Sequence, residues 1–222
     1  MAPELEILDT ECFLIRHCLT VEEQIALFEY IEACDMTPPE GTTTRRAMVP
    51  APTTLVLGKN DRGEPQRVLH YAQGDNSVVT RIVRKASEIL KEKNLHVFGE
   101  NNSSRTVFDH HALTMAVIRY EAPDGKFPPH VDHCNDSLVF LTSLGLTANF
   151  LVRGPTTTDA TTTTHFKFGS GDLLVFNAST EAALLHGVVG IDAVGSGEGA
   201  LLGEKFPVLQ KHRYGVQCRM TF

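Results

Sequence analysis

The sequence predicts an α+β fold in which helices pack against an antiparallel double-sheet sandwich or jelly roll. Two segments in the first half repeat apolar residues at the helical period, and from about Leu113 onward the chain breaks into short apolar or alternating runs punctuated by Gly, Pro, Asn and Asp. The composition agrees: 42% of the 222 residues are hydrophobic and 21% charged, as in a globular chain with a substantial core.

The elements follow in order. Thr20 opens "TVEEQIALFEYIEA", with Glu23 at the reciprocal capping-box position and Val21, Ile25, Phe28 and Ile31 at helical spacing. "MTPPEG" ends that helix. Ser77 can cap a second one, "SVVTRIVRKASEILKEK", whose apolar face is Val78, Ile82, Ala86 and Ile89. Strand language then takes over in "LTMAVIRYE", "SLVFLTSL", "ANFLVRG", "HFKFG", "DLLVFN" and "RYGVQCRMTF". Six or more short strands close most simply as two packed sheets. "GPTTTDATTTT" (154–164) and "AVGSGEGALLGEK" (193–205) read as loops. The GSGEG within the second is not expected to cradle phosphate, for want of a strand-then-helix context. One domain is expected over 1–222, with 1–111 a helical and lid-forming part and 112–222 the jelly-roll core.

The net charge of −7 is the wrong sign for a protein that coats nucleic acid. Its distribution is uneven: between Arg45 and Asn94 there are ten Lys and Arg against five Asp and Glu. Such a stretch could meet a phosphate backbone, or Arg81, Arg84, Lys85, Lys91 and Lys93 could be the solvated face of the second helix. The five cysteines (Cys12, Cys18, Cys34, Cys134, Cys218) are scattered and form no CxxC, which argues against a disulfide framework and a cysteine zinc site. No apolar run approaches the roughly 18 residues of a membrane span. The acidic start "MAPELEILDTE" lacks the marks of a signal or transit peptide. The expectation is an intracellular monomer, in cytoplasm or nucleus, without membrane association.

The stretch "PPHVDHCND" (128–136) carries the chemistry. His130 and Asp132 stand two apart, so in extended chain both side chains leave the same face, offering an imidazole and a carboxylate to a divalent metal of the iron or manganese type. His186, in the apolar "AALLHGVVGI", is the candidate third ligand; the competing reading is a buried histidine bonded to a backbone carbonyl. Two His and one carboxylate leave coordination positions open, as oxygen activation requires. Arg213 and Arg219, six apart on a late strand, share a face and suit a dicarboxylate; otherwise they are exposed strand residues.

Together these pieces resemble the AlkB family of iron(II) and 2-oxoglutarate-dependent dioxygenases. "IRYEAPDGKFPPHVDH", "TSLGLTANFLVRG", "FGSGDLLVFN", "LLHGV" and "RYGVQCR" occur in family order between about Leu113 and Arg219, with weaker likeness at "FLIRHCLTVEEQIALFEYIE". The resemblance implies a double-stranded β-helix (jelly roll) with two or more N-terminal helices on one sheet. It implies Fe(II) held by His130, Asp132 and His186. 2-Oxoglutarate would be held by Arg213 and Tyr120, with Arg219 near its other end, and O2 would be the oxidant. The activity implied is oxidative demethylation of N-alkylated DNA or RNA, releasing formaldehyde, succinate and CO2. Substrate contacts would fall to Arg45, Arg46, Tyr71 and His133, in and around the 45–71 segment where the family builds its lid. The chain departs from the family at Ile118 and Gly215, where Asn is usual, and at Cys134, where some members carry an acidic residue. It has no Trp, so base stacking would fall to His70, Tyr71, Phe127 or His133.

Other readings stay open. The same chemistry could act on a protein side chain or a small molecule. The barrel could be a catalytically inactive binding module, or an unrelated cupin-type metal protein, which would need no paired arginines. His133 could line the pocket mouth, while His110, His111 and His165 read as surface or structural residues.

Overall fold

The computed structural model describes residues 2–32, 44–47, 54–59, 65–71, 78–95, 113–132, 137–154, 163–195 and 197–221, without the side chains of 44–47, 54–59, 65–71, 113–114 and 221. The strands in chain order are β1 (Glu4–Asp9), β2 (Cys12–Arg16), β3 (Thr44–Ala47), β4 (Thr54–Lys59), β5 (Pro65–Tyr71), β6 (Leu113–Glu121), β7 (Phe127–Val131), β8 (Ser137–Gly145), β9 (Ala148–Arg153), β10 (Thr164–Phe168), β11 (Leu173–Asn177), β12 (Leu185–Ile191) and β13 (His212–Thr221). The helices are α1 (Val21–Glu32), α2 (Val78–Glu92) and α3 (Glu198–Lys205). The larger sheet runs β1-β2-β11-β8-β13-β6-β5-β4, with β3 also paired to β6; the smaller runs β10-β9-β12-β7. Every pairing is antiparallel, and the two sheets make the predicted jelly roll.

Period-two alternation sorts the larger sheet into two faces. Phe13 and Ile15 of β2, Leu173 and Val175 of β11, and Tyr214, Val216, Cys218 and Met220 of β13 pack under α1 and α2 with Leu27, Phe28, Ile31, Val79, Ile82, Val83 and Ala86. Their neighbours Cys12, Leu14, Leu174 and Phe176 face inward and meet Phe150, Val152 and Val188 of the smaller sheet. A strand buried on both faces reads as a continuous apolar run, which is why β8 and β11 were legible as strands but not as alternating ones. On β13 the inward set is Arg213, Gly215, Gln217 and Arg219, so the chain's one Arg-x5-Arg pair points between the sheets.

α1 begins with the predicted capping box: the Glu23 amide donates to Thr20 Oγ1 at 3.2 Å and the Thr20 amide to Glu23 Oε2 at 2.8 Å. Its buried face is Gln24, Leu27, Phe28 and Ile31, a step away from the predicted one, because Gln24 is drawn inside by Ser170 Oγ, which donates to Gln24 Oε1 at 2.7 Å.

Three expectations need correction. The chain does not begin with helices: β1 and β2 precede α1 and extend the larger sheet beyond β11. "ELEILD" was unreadable because β1 is an edge strand, its Ile7 63% exposed, with acidic residues where a buried strand would carry apolar ones. The 193–205 stretch is not all loop, since residues 198–205 form α3, so a helix begins within GSGEG. Gly199 sits where a side chain cannot: a Cβ there would stand 2.3 Å from the Gly145 carbonyl. Its first turn holds Glu198, a carboxylate already bonded by Gln24, not a phosphate. Finally, the described residues of 45–71 are strands β3, β4 and β5, which continue the larger sheet past β6. Most of the Thr-rich stretch lies outside the described residues, and Thr164 begins β10.

Candidate active site

β7 is an edge strand of the smaller sheet, which is what lets Pro128 and Pro129 sit in it without breaking a ladder. Its register with β12 shifts between His186 and Val188. The pairing sets His130 directly opposite His186, and Asp132 follows one residue past the end of β7. Gly187 makes this approach possible, because a Cβ there would lie 2.8 Å from the Phe127 carbonyl oxygen and 2.8 Å from Pro129 Cα. The ligand atoms of His130, Asp132 and His186 all lie within 4.8 Å of one another, a group of three that could hold one metal ion.

The tautomers are fixed by the backbone. His130 Nδ1 lies 3.0 Å from the Pro128 carbonyl and His186 Nδ1 3.1 Å from the Leu184 carbonyl, so each Nδ1–H donates there and Nε2 is left for a metal. The buried-histidine reading of His186 and the ligand reading are thus both met, by different nitrogens. Asp132 Oδ1 stands 3.4 Å from His130 Nε2, while Oδ2 accepts from Arg219 Nη2 at 2.7 Å. Arg219 also donates from Nη1 to Ser137 Oγ at 3.3 Å. Burial opposes ionisation of Asp132, but its neighbours His130 and Arg219 outweigh it and hold the carboxyl well below the usual carboxylate range. Burial pushes the His186 imidazole below its ordinary value, with Asp132 opposing. Both ligands are therefore deprotonated at neutral pH, as metal binding requires. Phe176 packs 4.7 Å from the His186 ring and Phe127 edge-on 4.6 Å from His130, walling the cluster on two sides.

Arg213 occupies the other end of the interior. It is 1% exposed, the largest fully buried side chain described. Its guanidinium lies 4.9 Å over the Tyr120 ring and 5.3 Å over Phe168, and donates from Nε to Ser143 Oγ at 3.1 Å. Nη2 is buried with no hydrogen-bond partner, and among the described residues no carboxylate forms an ion pair with Arg213. A buried charge in that state costs several kcal/mol unless a ligand anion completes it. Gly215 is part of the arrangement: a Cβ there would stand 2.9 Å from Arg213 Nη1 and 3.5 Å from the Tyr120 ring. The guanidinium thus occupies space that a side chain at 215 would claim.

Of the residues the sequence singled out, His130, Asp132, His186 and Arg219 form one cluster, and Tyr120 and Arg213 a second, Arg213 standing opposite Tyr120 in the β13–β6 register. The sequence reading missed Ser137 and Ser143. Their only signal was hydroxyls in an otherwise apolar strand, again six residues apart. Arg45 and Arg46 stand in β3 opposite Arg119 and Ile118, and Tyr71 in β5 opposite Leu113. Their side chains, and that of His70, lie outside the description. His133 and Cys134, like His110 and His111, lie outside the described residues. His165 is exposed on β10.

Comparison with known proteins comes to the same place. Residues 11–216 match the family model for the 2OG-Fe(II) oxygenase superfamily. The structure titled OsALKBH1 superimposes with a TM-score of 0.64 at 19% identity, covering 97% of this chain and 100% of that one. A Pseudomonas putida prolyl-4-hydroxylase superimposes with a TM-score of 0.50 at 10% identity, covering 94% of this chain and 91% of that one. No curated protein matches the sequence.

Proposed function

The chain belongs to the 2OG-Fe(II) oxygenase superfamily, and from that premise we propose that it is an AlkB-type dioxygenase that demethylates N-alkylated nucleic acid, with His130, Asp132 and His186 as its iron ligands. Enzymes of this superfamily use Fe(II), 2-oxoglutarate and O2. When bound, iron and 2-oxoglutarate supply the oxidation of a C–H bond by O2, with succinate and CO2 as co-products. An oxidised N-methyl group leaves as formaldehyde.

The observation that carries the reading is the pairing of a His-Asp-His cluster with a buried guanidinium that lacks an anion. In this reading Arg213 Nη2 takes the distal carboxylate of 2-oxoglutarate, with Tyr120 beside it. Arg219 holds Asp132 Oδ2, which leaves Oδ1 turned toward the point it shares with His130 Nε2. The Pro128 and Leu184 carbonyls keep both imidazoles in the ligating tautomer. Phe127 and Phe176 pack against the His130 and His186 rings and help to fix them in place.

For the substrate, the support is order and placement. The five motifs follow the AlkB order, and β3, β4 and β5, which carry Arg45, Arg46, Lys59 and Arg67, lie on the sheet edge beside β6. A second reading keeps the site and changes the substrate to a protein side chain or small molecule, and the net charge of −7 favours it.

The test is to supply Fe(II), 2-oxoglutarate and O2 with N-methylated single-stranded DNA, with methylated RNA, and with a peptide pool, measuring succinate and formaldehyde. Formaldehyde released with an oligonucleotide supports the proposal. Succinate stimulated only by peptide overturns the nucleic-acid substrate and keeps the oxygenase. No succinate with any of them, together with a His130→Ala variant that alters only binding of a partner, would point to a binding module.

A further inference from the structure

The two inward-facing arginines of β13 are matched by two inward-facing serines of β8. Arg213 stands opposite Gly145 and Arg219 opposite Val139, so each guanidinium reaches diagonally to the residue two positions back, Ser143 and Ser137 respectively. Both serines are 0% exposed. Ser137 serves the metal end. Ser143 does something different, because the group it holds has no counter-charge.

We propose that Ser143 is a positioning residue for the co-substrate: it holds the Nε edge of Arg213 and thereby presents the partnerless Nη2 to the distal carboxylate. The inference rests on the assignment of Arg213 given above. Three features carry it. First, the hydroxyl is committed in both directions, since Ser143 Oγ accepts from Arg213 Nε at 3.1 Å and donates to the Phe168 carbonyl at 3.4 Å. Its lone pairs are thereby aimed at the guanidinium. Second, the serine backbone is tied down: its amide donates to the Asp172 carbonyl at 3.1 Å and its carbonyl accepts from the Gly171 amide at 2.9 Å. Asp172 itself is anchored by Arg16 Nη1 at 2.9 Å and the Gly169 amide at 2.9 Å. The anchor is thus fixed to the β10–β11 turn, not to a mobile side chain. Third, the anchor is neutral. A carboxylate at this position would neutralise the guanidinium and compete with the co-substrate, whereas a hydroxyl fixes the side chain and leaves the full charge for a ligand. Position 215 cannot supply a second anchor, because it is Gly and the guanidinium fills its space. Orientation of Arg213 therefore falls to Ser143 and Tyr120.

The experiment uses the full chain loaded with Mn(II), which supports binding without turnover. Dissociation constants are measured calorimetrically for 2-oxoglutarate and for 2-oxobutanoate, which shares the keto-acid head but lacks the distal carboxylate. Wild type is expected to prefer 2-oxoglutarate. In Ser143→Ala that preference should fall about tenfold, as for loss of one hydrogen bond to a charged group, with 2-oxobutanoate affinity unchanged. Ser143→Cys, which keeps the volume but accepts poorly, should give the same loss if the alanine variant does not fold. If wild type prefers 2-oxoglutarate and both Ser143 variants prefer it equally, Ser143 does not position Arg213. If wild type itself shows no preference, the assignment of Arg213 fails and this inference falls with it.

Discussion

Replacing Arg213 with Met should uncouple stability from ligand binding. In the ligand-free protein the substitution removes a buried charge whose desolvation costs several kcal/mol. It also removes the hydrogen bond to Ser143, worth about 1.5–3 kcal/mol, and the contacts over Tyr120 and Phe168. Each of those ring contacts is worth about 0.5–2 kcal/mol. These terms nearly cancel, so the net change is expected within about 2 kcal/mol of zero. Binding is another matter. A ligand at a hundred times its Kd stabilises by about 2.7 kcal/mol, which for a chain of this size is a Tm rise of roughly 5–11 °C. Arg213→Met should abolish that rise. Leu173→Ala is the contrast: Leu173 is 0% exposed under the helices, so it should lose about 2–5 kcal/mol in the ligand-free state yet keep the rise. Thermal denaturation of the Mn(II) form with and without 2-oxoglutarate checks both. If Arg213→Met drops the ligand-free Tm as far as Leu173→Ala does, or retains the full rise, then Arg213 is a structural residue and the reasoning is refuted.

Three further outcomes follow from the geometry. Gly187→Ala would press a methyl against the backbone of β7; it should cost about 1–3 kcal/mol and weaken Mn(II) or Fe(II) binding by roughly tenfold or more, measured by metal titration, because backbone cannot yield as a side chain would. Burial raises the Glu11 pKa above its ordinary 4.5, so the folded state holds the proton more tightly than the unfolded chain. Its contribution is therefore fully present below pH 4.5 and lost as pH rises through the folded value. Glu11→Gln, which can still accept from Asn177, should melt higher than wild type at pH 7, and the advantage should vanish below pH 4.5. Burial pushes the thiols of Cys18 and Cys218 up to about 12 and Cys12 higher still, so none of the three should react with a thiol reagent in native buffer, and all three should on unfolding.

How much of this was legible depended on whether a residue's role is encoded locally. β6 was readable to the residue, because "LTMAVIRYE" carries an apolar run from Met115 to Ile118 and is followed at once by the turn signals of "APDG". The capping box of α1 was readable because both partners lie within four residues. His130 and Asp132 were readable as a pair because the i, i+2 spacing is local. His186 was readable as a third ligand from its apolar surroundings and from the family resemblance, but its place opposite His130 depends on β7 and β12 being neighbours, which only the sheet order decides. Arg219 shows the limit: the spacing put it on the same face as Arg213, but its contact with Asp132 joins residues 87 positions apart. Ser143 left almost no trace, because a buried serine in an apolar strand acquires meaning only from the guanidinium across the sheet. β1 went unread for a different reason: it is a short acidic edge strand whose Ile7 is 63% exposed, so its apolar residues mark no buried face.

The central claim is that His130, Asp132 and His186 hold iron and that Arg213 completes a 2-oxoglutarate site beside it. The most direct measurement is an anaerobic titration of the full chain with Fe(II) and then 2-oxoglutarate, following the weak visible charge-transfer absorption of the chelate. The account predicts that the band forms in wild type, vanishes in His130→Ala, and in Arg213→Met appears only at much higher 2-oxoglutarate. A wild-type protein that binds Fe(II) and 2-oxoglutarate without a band, or a His130→Ala variant that keeps it, would contradict the claim.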